Sequence, residues 1–184
     1  MMPDFRGSFA VSPVFAFCLS FIGIDYLYYW NHRLLHTRRL WPLHRVHHSV
    51  GHLDVLATSR NSAWTIFFIV YLWVPPLFVF FLKDPRWFLA GMVTGYCLDV
   101  WRHSGWLWNR KQVPVRLLRS FLIDAQDHEW HHAEEKFNIN FGANLNLWDR
   151  MHGTFHRSPS RPRKVGVRAD EKFWRSYLAP WKLP

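Results

Sequence analysis

The sequence predicts an all-α integral membrane protein, with about three transmembrane or membrane-embedded helices supporting a cytoplasmic cap of histidine-bearing helices. Three observations carry this expectation. Long apolar runs alternate with polar stretches, so the mean hydropathy is only −0.14 although aromatic residues make up 18% of the chain. The basic residues are distributed asymmetrically about those runs. Histidines recur at helical spacing in the polar stretches.

At 184 residues the chain is expected to be one domain, 1–184, whose motif-bearing part covers about 20–156, followed by a basic tail, 157–184. Both cysteines, Cys18 and Cys97, lie inside apolar runs. This leaves no disulfide framework and no cysteine-based zinc or iron–sulfur site.

Ser8 to Trp30 is almost wholly apolar. As a helix it reaches about 34 Å, enough for a bilayer core of about 30 Å. It reads as a transmembrane helix rather than a signal peptide, because it is long, lacks a basic start and leads directly into histidines. Residues 31–62 are polar and basic. Trp64 to Leu82 is a second apolar run in which Pro75-Pro76 is expected to kink or break a helix. Lys83-Asp84-Pro85-Arg86 reads as a turn. Trp87 to Trp101 is a third run, about 22 Å as a helix and short for a span. The last two runs form a hairpin that returns to the side it entered.

That hairpin puts residues 31–62 and 102–184 on one side, with 20 of the 23 Lys and Arg. The positive-inside rule makes this side cytoplasmic and places every histidine there: the inner membrane if bacterial, the endoplasmic reticulum if eukaryotic. A net charge of +10 is then explained without nucleic acid as a partner. Val113 to Ala125 sets Val115, Leu117, Leu118, Phe121 and Leu122 beside Arg116 and Arg119, as in an amphipathic helix at the membrane interface. Ser158 to Lys164 reads as an exposed loop, and Phe173, Trp174, Tyr177 and Trp181 as aromatics resting on lipid headgroups.

His44, His47 and His48 form an H-x-x-H-H box, repeated by His128, His131 and His132; His32 and His36 stand at i and i+4. Positions i, i+3 and i+4 share a helix face, so the three imidazoles of a box are expected to point into one small volume. Neutral imidazole suits zinc, copper and iron, and eight such nitrogens exceed the four that one tetrahedral ion needs. Two metals are the economical reading, with the histidines as ligands and not as acid–base catalysts. Asp25, two helical turns before His32, is a candidate to accept an imidazole N–H, and His52 and His152 are further candidates near the metals. A competing reading takes His128-Glu129-Trp130-His131-His132 as H-E-x-x-H, the signature of a zinc peptidase, here an intramembrane one. It leaves the other clusters unexplained.

The order of the three clusters around a hairpin resembles the fatty acid hydroxylase and sterol desaturase superfamily. So do Asp25 with Tyr28 ahead of His32-Arg33-Leu34-Leu35-His36, His47-His48-Ser49, His103-Ser104-Gly105, Asn140-Phe141-Gly142, Trp148-Asp149-Arg150 and Gly153-Thr154-Phe155. The resemblance implies a membrane-embedded, non-haem enzyme with two iron ions, for which zinc can substitute. Such an enzyme uses O2 to hydroxylate or desaturate a membrane lipid, drawing electrons from a separate donor of the cytochrome b5 or ferredoxin type. Members commonly have about four membrane helices, and this chain reads as one or more short of that. Some members carry a further H-x-x-x-H after the hairpin, where this chain has Asp99-x-x-x-His103. By that likeness His103 is a ligand, Asp99 is a ligand or a support for one, and Asn140 and Asp149 orient ligands or the last helix.

Overall fold

Ser12 opens the first long helix: its hydroxyl oxygen accepts the N–H of Phe15 at 3.2 Å, and Pro13 takes a first-turn position where no N–H is needed. This computed structural model describes residues 5–107, 109, 111–167 and 173–182; Met1 to Asp4 and the side chain of Phe173 lie outside that description. Helix α1, Pro13–Leu35, has 23 residues and includes one π-helical turn, Leu19–Gly23. It is the one helix among the described residues long and apolar enough to cross a membrane.

Relative to the expected Ser8–Trp30, α1 is displaced toward the C-terminus. The segment before it stays out of the helix because Phe9 pairs with the backbone near Leu82: Phe9 N–H donates to Phe81 at 2.9 Å, and Lys83 N–H to Phe9 at 2.9 Å. At the other end the helix continues beyond the apolar run. There Asn31 donates to the carbonyl of Phe68 at 2.7 Å and accepts the N–H of Val70 at 3.2 Å. His32 is thereby held on α1 itself.

Helix α2, Trp41–His48, starts with Pro42 in its first turn. Helix α3, Val70–Phe81, runs through Pro75 and Pro76 without breaking. Proline's fixed φ is itself helical, so the expected break reduces to two forfeited backbone bonds, and the buried Pro75 packs at this point. Its 12 residues rise about 18 Å. Helix α4, Arg86–His103, has 18 residues, three more than the apolar run, and delivers His103. Asp84 fixes its start by accepting the N–H of Arg86 at 3.1 Å and both guanidinium arms at 2.8 and 2.7 Å.

Ala16, Ile24, Leu82 and Phe88 form the buried centre where α1, α3 and α4 meet. Gly91 permits the close approach of α4 to α1, since a Cβ there would stand 1.9 Å from Ser20 Oγ and 2.8 Å from the Phe17 carbonyl. Outward the three helices present large apolar side chains, among them Leu27, Leu77 and Val93.

Helix α5, Val113–Phe121, is shorter than the expected Val113–Ala125. The chain turns extended at Leu122 because Asp124 begins a new helix. Its carboxylate takes the N–H of Asp127 at 2.8 Å, while the Asp127 carboxylate takes the N–H of Asp124 at 3.2 Å. Val113, Leu117 and Phe121, at i, i+4 and i+8, are each more than 60% exposed, so α5 has an apolar face with no protein against it.

Helices α6, Ala125–His131, and α7, Leu147–Met151, flank an irregular segment. Ser158 to Lys164 is largely exposed as expected, yet it is pinned: Gln126 donates to the carbonyls of Ser158 and Ser160 at 3.1 and 2.6 Å. Helix α8, Phe173–Leu178, and the turn Pro180–Lys182 pack on the segment near Trp64, whose indole N–H donates to Leu178 at 2.8 Å. Part of the tail therefore covers protein. Among the described residues there is no β-strand, only isolated bridges.

Candidate metal centre

Helices α1, α2, α4 and α6, with His36 and His132 capping the ends of α1 and α6, bring nine histidines together in two buried groups. His32, His36, His44, His48 and His131 form one; His47, His103, His128 and His132 form the other. Within each, one ligand-capable atom per residue lies within 4.8 Å of all the others. The expectation that each H-x-x-H-H box fills a single volume is corrected. Each box sends its i, i+4 pair to one group and its i+3 histidine to the other. At about 100° per residue, i and i+4 are about 40° apart around the helix while i+3 and i+4 are about 100° apart. His47 and His131 consequently cross over, and the two boxes interlock.

Three imidazoles have their tautomer set by geometry. His32 Nδ1 lies 2.8 Å from the Phe141 carbonyl, His131 Nδ1 2.7 Å from that of Ile139, and His103 Nδ1 2.8 Å from that of Asp99. A carbonyl only accepts, so each Nδ1 carries the proton and each Nε2 offers a lone pair. Asn138 and Asn140 both have positive φ, 62° and 53°, conformations asparagine tolerates, and they shape the segment that aims the carbonyls of Ile139 and Phe141.

Asp149 holds that segment. Its carboxylate accepts the N–H groups of Phe141 and Gly142 at 2.7 and 2.8 Å and the hydroxyl of Thr154 at 2.7 Å. Burial raises its carboxyl above the ordinary range, opposed by these three donors. Asn140 donates to the carbonyls of Asp127 and His156 at 2.8 and 2.7 Å and accepts the N–H of His156 at 2.7 Å. Neither residue belongs to a histidine group; both set the loop that orients His32 and His131.

The other candidates separate clearly. Asp25 does not accept an imidazole N–H: its oxygens take the N–H groups of Asn144 and Leu145 at 2.7 and 3.0 Å and the indole of Trp148 at 2.8 Å. Two helical turns place it about 10 Å from His32 along the axis, too far for contact, so it ties α1 to the loop before α7. Asp99 lies outside both groups and supports His103, with Oδ1 at 3.5 Å from Nδ1, while binding Arg102 at 3.0 Å. His52 is exposed and pairs with Asp54 at 3.3 Å. His152 stacks on Tyr29 at 5.0 Å between ring centroids. Neither belongs to a histidine group.

Do these residues fit metal ions? At metal–nitrogen distances of about 2.0–2.1 Å, ligand nitrogens are about 3.3–3.4 Å apart around a tetrahedron and about 2.9 Å apart at adjacent corners of an octahedron. His103 Nε2 lies 2.9 Å from His128 Nε2 and 3.4 Å from His47 Nε2; His128 and His132 are 3.2 Å apart, and His32 and His44 2.9 Å. His48 Nε2 and His131 Nε2 are buried without a protein partner. Such atoms cost about 1–3 kcal/mol each unless something else satisfies them. Burial, reinforced by neighbouring histidines, holds His44, His47, His48, His128 and His132 well below the ordinary imidazole range, with His131 at about 4 and His36 at about 2. The rings are neutral, the ligand form, and the donor set fits two ions.

Glu129 turns away from this centre. Buried itself, it is held by the guanidinium of Arg161, with Nε at 2.8 Å from Oε2, and it joins neither group. The peptidase reading needs this carboxylate free to activate water, and nothing in the arrangement supports that reading.

Sequence reasoning missed the pairing of Glu129 with Arg161 and the carbonyls of Ile139 and Phe141. The Asn138-x-Asn140 pattern was the available signal for the second, because asparagine is enriched at left-handed positions.

Comparison with known proteins agrees with this geometry. The chain is 31% identical over 173 residues to an ornithine lipid hydroxylase, OlsE, of Rhizobium tropici, covering 92% of this chain and 50% of that protein. It is 31% identical over 140 residues to an alkylglycerol monooxygenase of Danio rerio, covering 74% and 30%. Methylsterol monooxygenase 1 of Rattus norvegicus is 26% identical over 154 residues, covering 79% and 49%. The chain thus spans half or less of the length of these curated relatives. No solved structure matches it. The family model for fatty acid hydroxylases matches residues 17–154, across both histidine groups and the loop that orients them, and this chain belongs to that family.

Proposed function

We propose that this chain is an O2-dependent lipid hydroxylase or desaturase. It holds two iron ions, one by His32, His36, His44, His48 and His131, the other by His47, His103, His128 and His132. The observation that carries the proposal is the convergence of nine buried, neutral imidazoles into two adjacent groups. The relatives named as lipid hydroxylases and monooxygenases support the same reaction class.

When bound, the metal pair supplies O2 activation and the oxidising power that an unactivated C–H bond requires. The chain's own residues prepare the site. The carbonyls of Phe141, Ile139 and Asp99 lock three rings so that Nε2 faces inward. Trp41 and Phe137, 4.7 Å apart between ring centroids, pack against His36 and exclude water from the five-histidine group. An oxidising centre kept dry spends its reactivity on substrate.

The working topology is a single domain, 1–184, with α1, α3 and α4 embedded in the membrane and α2 and α6 in a cytoplasmic cap. The exposed apolar faces of the three helices and the unpaired face of α5 support this placement. Electrons come from a separate cytochrome b5-type or ferredoxin-type donor, for which the basic cytoplasmic face is an apt docking surface.

The test is lipid mass spectrometry on membranes containing the chain or its His48→Ala variant, incubated with isotopically labelled O2, NADPH and a reductase with its cytochrome b5 or ferredoxin. The reading predicts a lipid that gains labelled oxygen, or loses two hydrogens, with the intact chain only. An unchanged lipid profile contradicts it.

A further inference from the structure

A cavity of about 220 Å³ lies where α1, α3 and α4 meet the loop before α7. Its walls touch both histidine groups. Tyr28 packs against His32 at 5.2 Å between centroids, and Asp99, whose carbonyl orients His103, lines the same space. Asp99 and Arg102 lie at this end. The other end, about 12–17 Å away along α4, is lined by Gly91, Met92 and Ser20, whose hydroxyl is already donated to the Phe17 carbonyl at 3.0 Å.

Two polar groups here lack protein partners. Arg102 is 1% exposed, and although one arm binds Asp99 at 3.0 Å, its Nε and Nη1 have no acceptor. Asn144 directs its Nδ2 to the Phe21 carbonyl at 3.2 Å, so its other atom is the oxygen, buried and without a donor. The missing side chain of Gly95 makes room for this amide: a Cβ there would stand 3.1 Å from Asn144 Nδ2. A buried guanidinium with two unused donors and an unused amide oxygen, both on the wall of one cavity, are costly in apolar surroundings, and a ligand with matching polarity relieves that cost.

We infer that this cavity binds the oxygen-bearing linkage of a lipid, an ester or amide, with Arg102 donating to its carbonyl and Asn144 accepting from an adjacent hydroxyl or N–H. Asp99 already balances the charge of Arg102, so the match is to a neutral carbonyl and not to a second anion. The volume is below the roughly 300–1,000 Å³ that encloses a whole drug-sized molecule. The linkage and its first methylenes fit inside, and the rest of the chain extends into the bilayer. This rests on the lipid-oxidation reading and deepens it: the carbon nearest the histidines is one close to the linkage, not the far end of the tail.

The experiment measures binding independently of turnover. The full chain in nanodiscs of a diether phospholipid, which carries no ester or amide, is titrated with radiolabelled N-hexadecanoyl ethanolamine and, separately, with hexadecane. The wild type is expected to prefer the amide by about tenfold or more, and Arg102→Lys, which keeps the charge but loses the fork, to reduce that preference by about tenfold while leaving hexadecane unaffected. Equal affinity for both probes, or an unchanged preference in the variant at wild-type metal content, overturns the inference. If the variant fails to fold, the wild type decides alone: a diazirine beside the amide should label residues 91–102 or 143–145, and labelling confined elsewhere overturns it. Selective binding without any O2-dependent product would instead remove the proposed reaction and leave the site standing.

Discussion

His32 donates its Nδ1 proton to the carbonyl of Phe141 across 2.8 Å, joining the end of α1 to a loop more than a hundred residues away in sequence. That loop is held by Asp149, so the carboxylate acts on the five-histidine group without touching it. Replacing Asp149 by Ala frees the N–H groups of Phe141 and Gly142 and lets the His32 ring rotate. Metal affinity at the five-histidine group should fall by about 10–100-fold. Competitive titration with a metal chelator measures this, and unchanged affinity would show that the loop does not position His32.

Gly166 joins the two boxes from behind. Its N–H donates to the His132 carbonyl at 2.8 Å, and that of Val167 donates to the His48 carbonyl at 2.9 Å. Its φ is +83°, and an added Cβ would lie 1.7 Å from the Val50 carbonyl. Gly166→Ala must move this segment and loosen the ends of α2 and α6. A loss of about 1–3 kcal/mol is expected, read as a lower unfolding temperature of the metal-loaded protein in detergent. An unfolding temperature equal to wild type would mean the segment is not a brace.

The metal-free protein should be labile to mild acid. Folded His131 and His36 have pKa values of about 4 and about 2, against about 6.5 in an unfolded chain. Below pH 6.5 the unfolded chain takes up protons that the folded rings refuse, so stability falls as pH drops, until each folded value is reached. The slope is about 1.4 kcal/mol per pH unit for each such histidine. Asp127 and Asp149, raised by burial, act in the opposite sense and offset part of it. Chelator-treated protein is expected to unfold at lower temperature near pH 5.5 than near pH 7.5; a flat or rising profile contradicts neutral buried rings.

The helical spacing of the histidines was legible in the sequence because it is local, and the first helix and hairpin were legible because they are long and apolar. The division of each box between two groups was not legible. It depends on how α2 and α6 face one another, which no local pattern records. His103 came from family likeness alone, standing singly on α4. Asp25 shows the limit of periodicity: a spacing of seven puts two residues on one face, yet leaves them two turns apart. Pro75 and Pro76, expected to kink or break a helix, do not break α3, because a proline pair with helical φ breaks a helix only if packing does not hold it.

The interlocked arrangement of His47 and His131 gives each group a histidine from both boxes, as the two-iron proposal requires. The most direct measurement is the metal content of the purified chain, by elemental mass spectrometry against protein concentration from amino-acid analysis. The account predicts close to two metal ions per chain. One ion per chain, or none retained after purification without chelators, would contradict it.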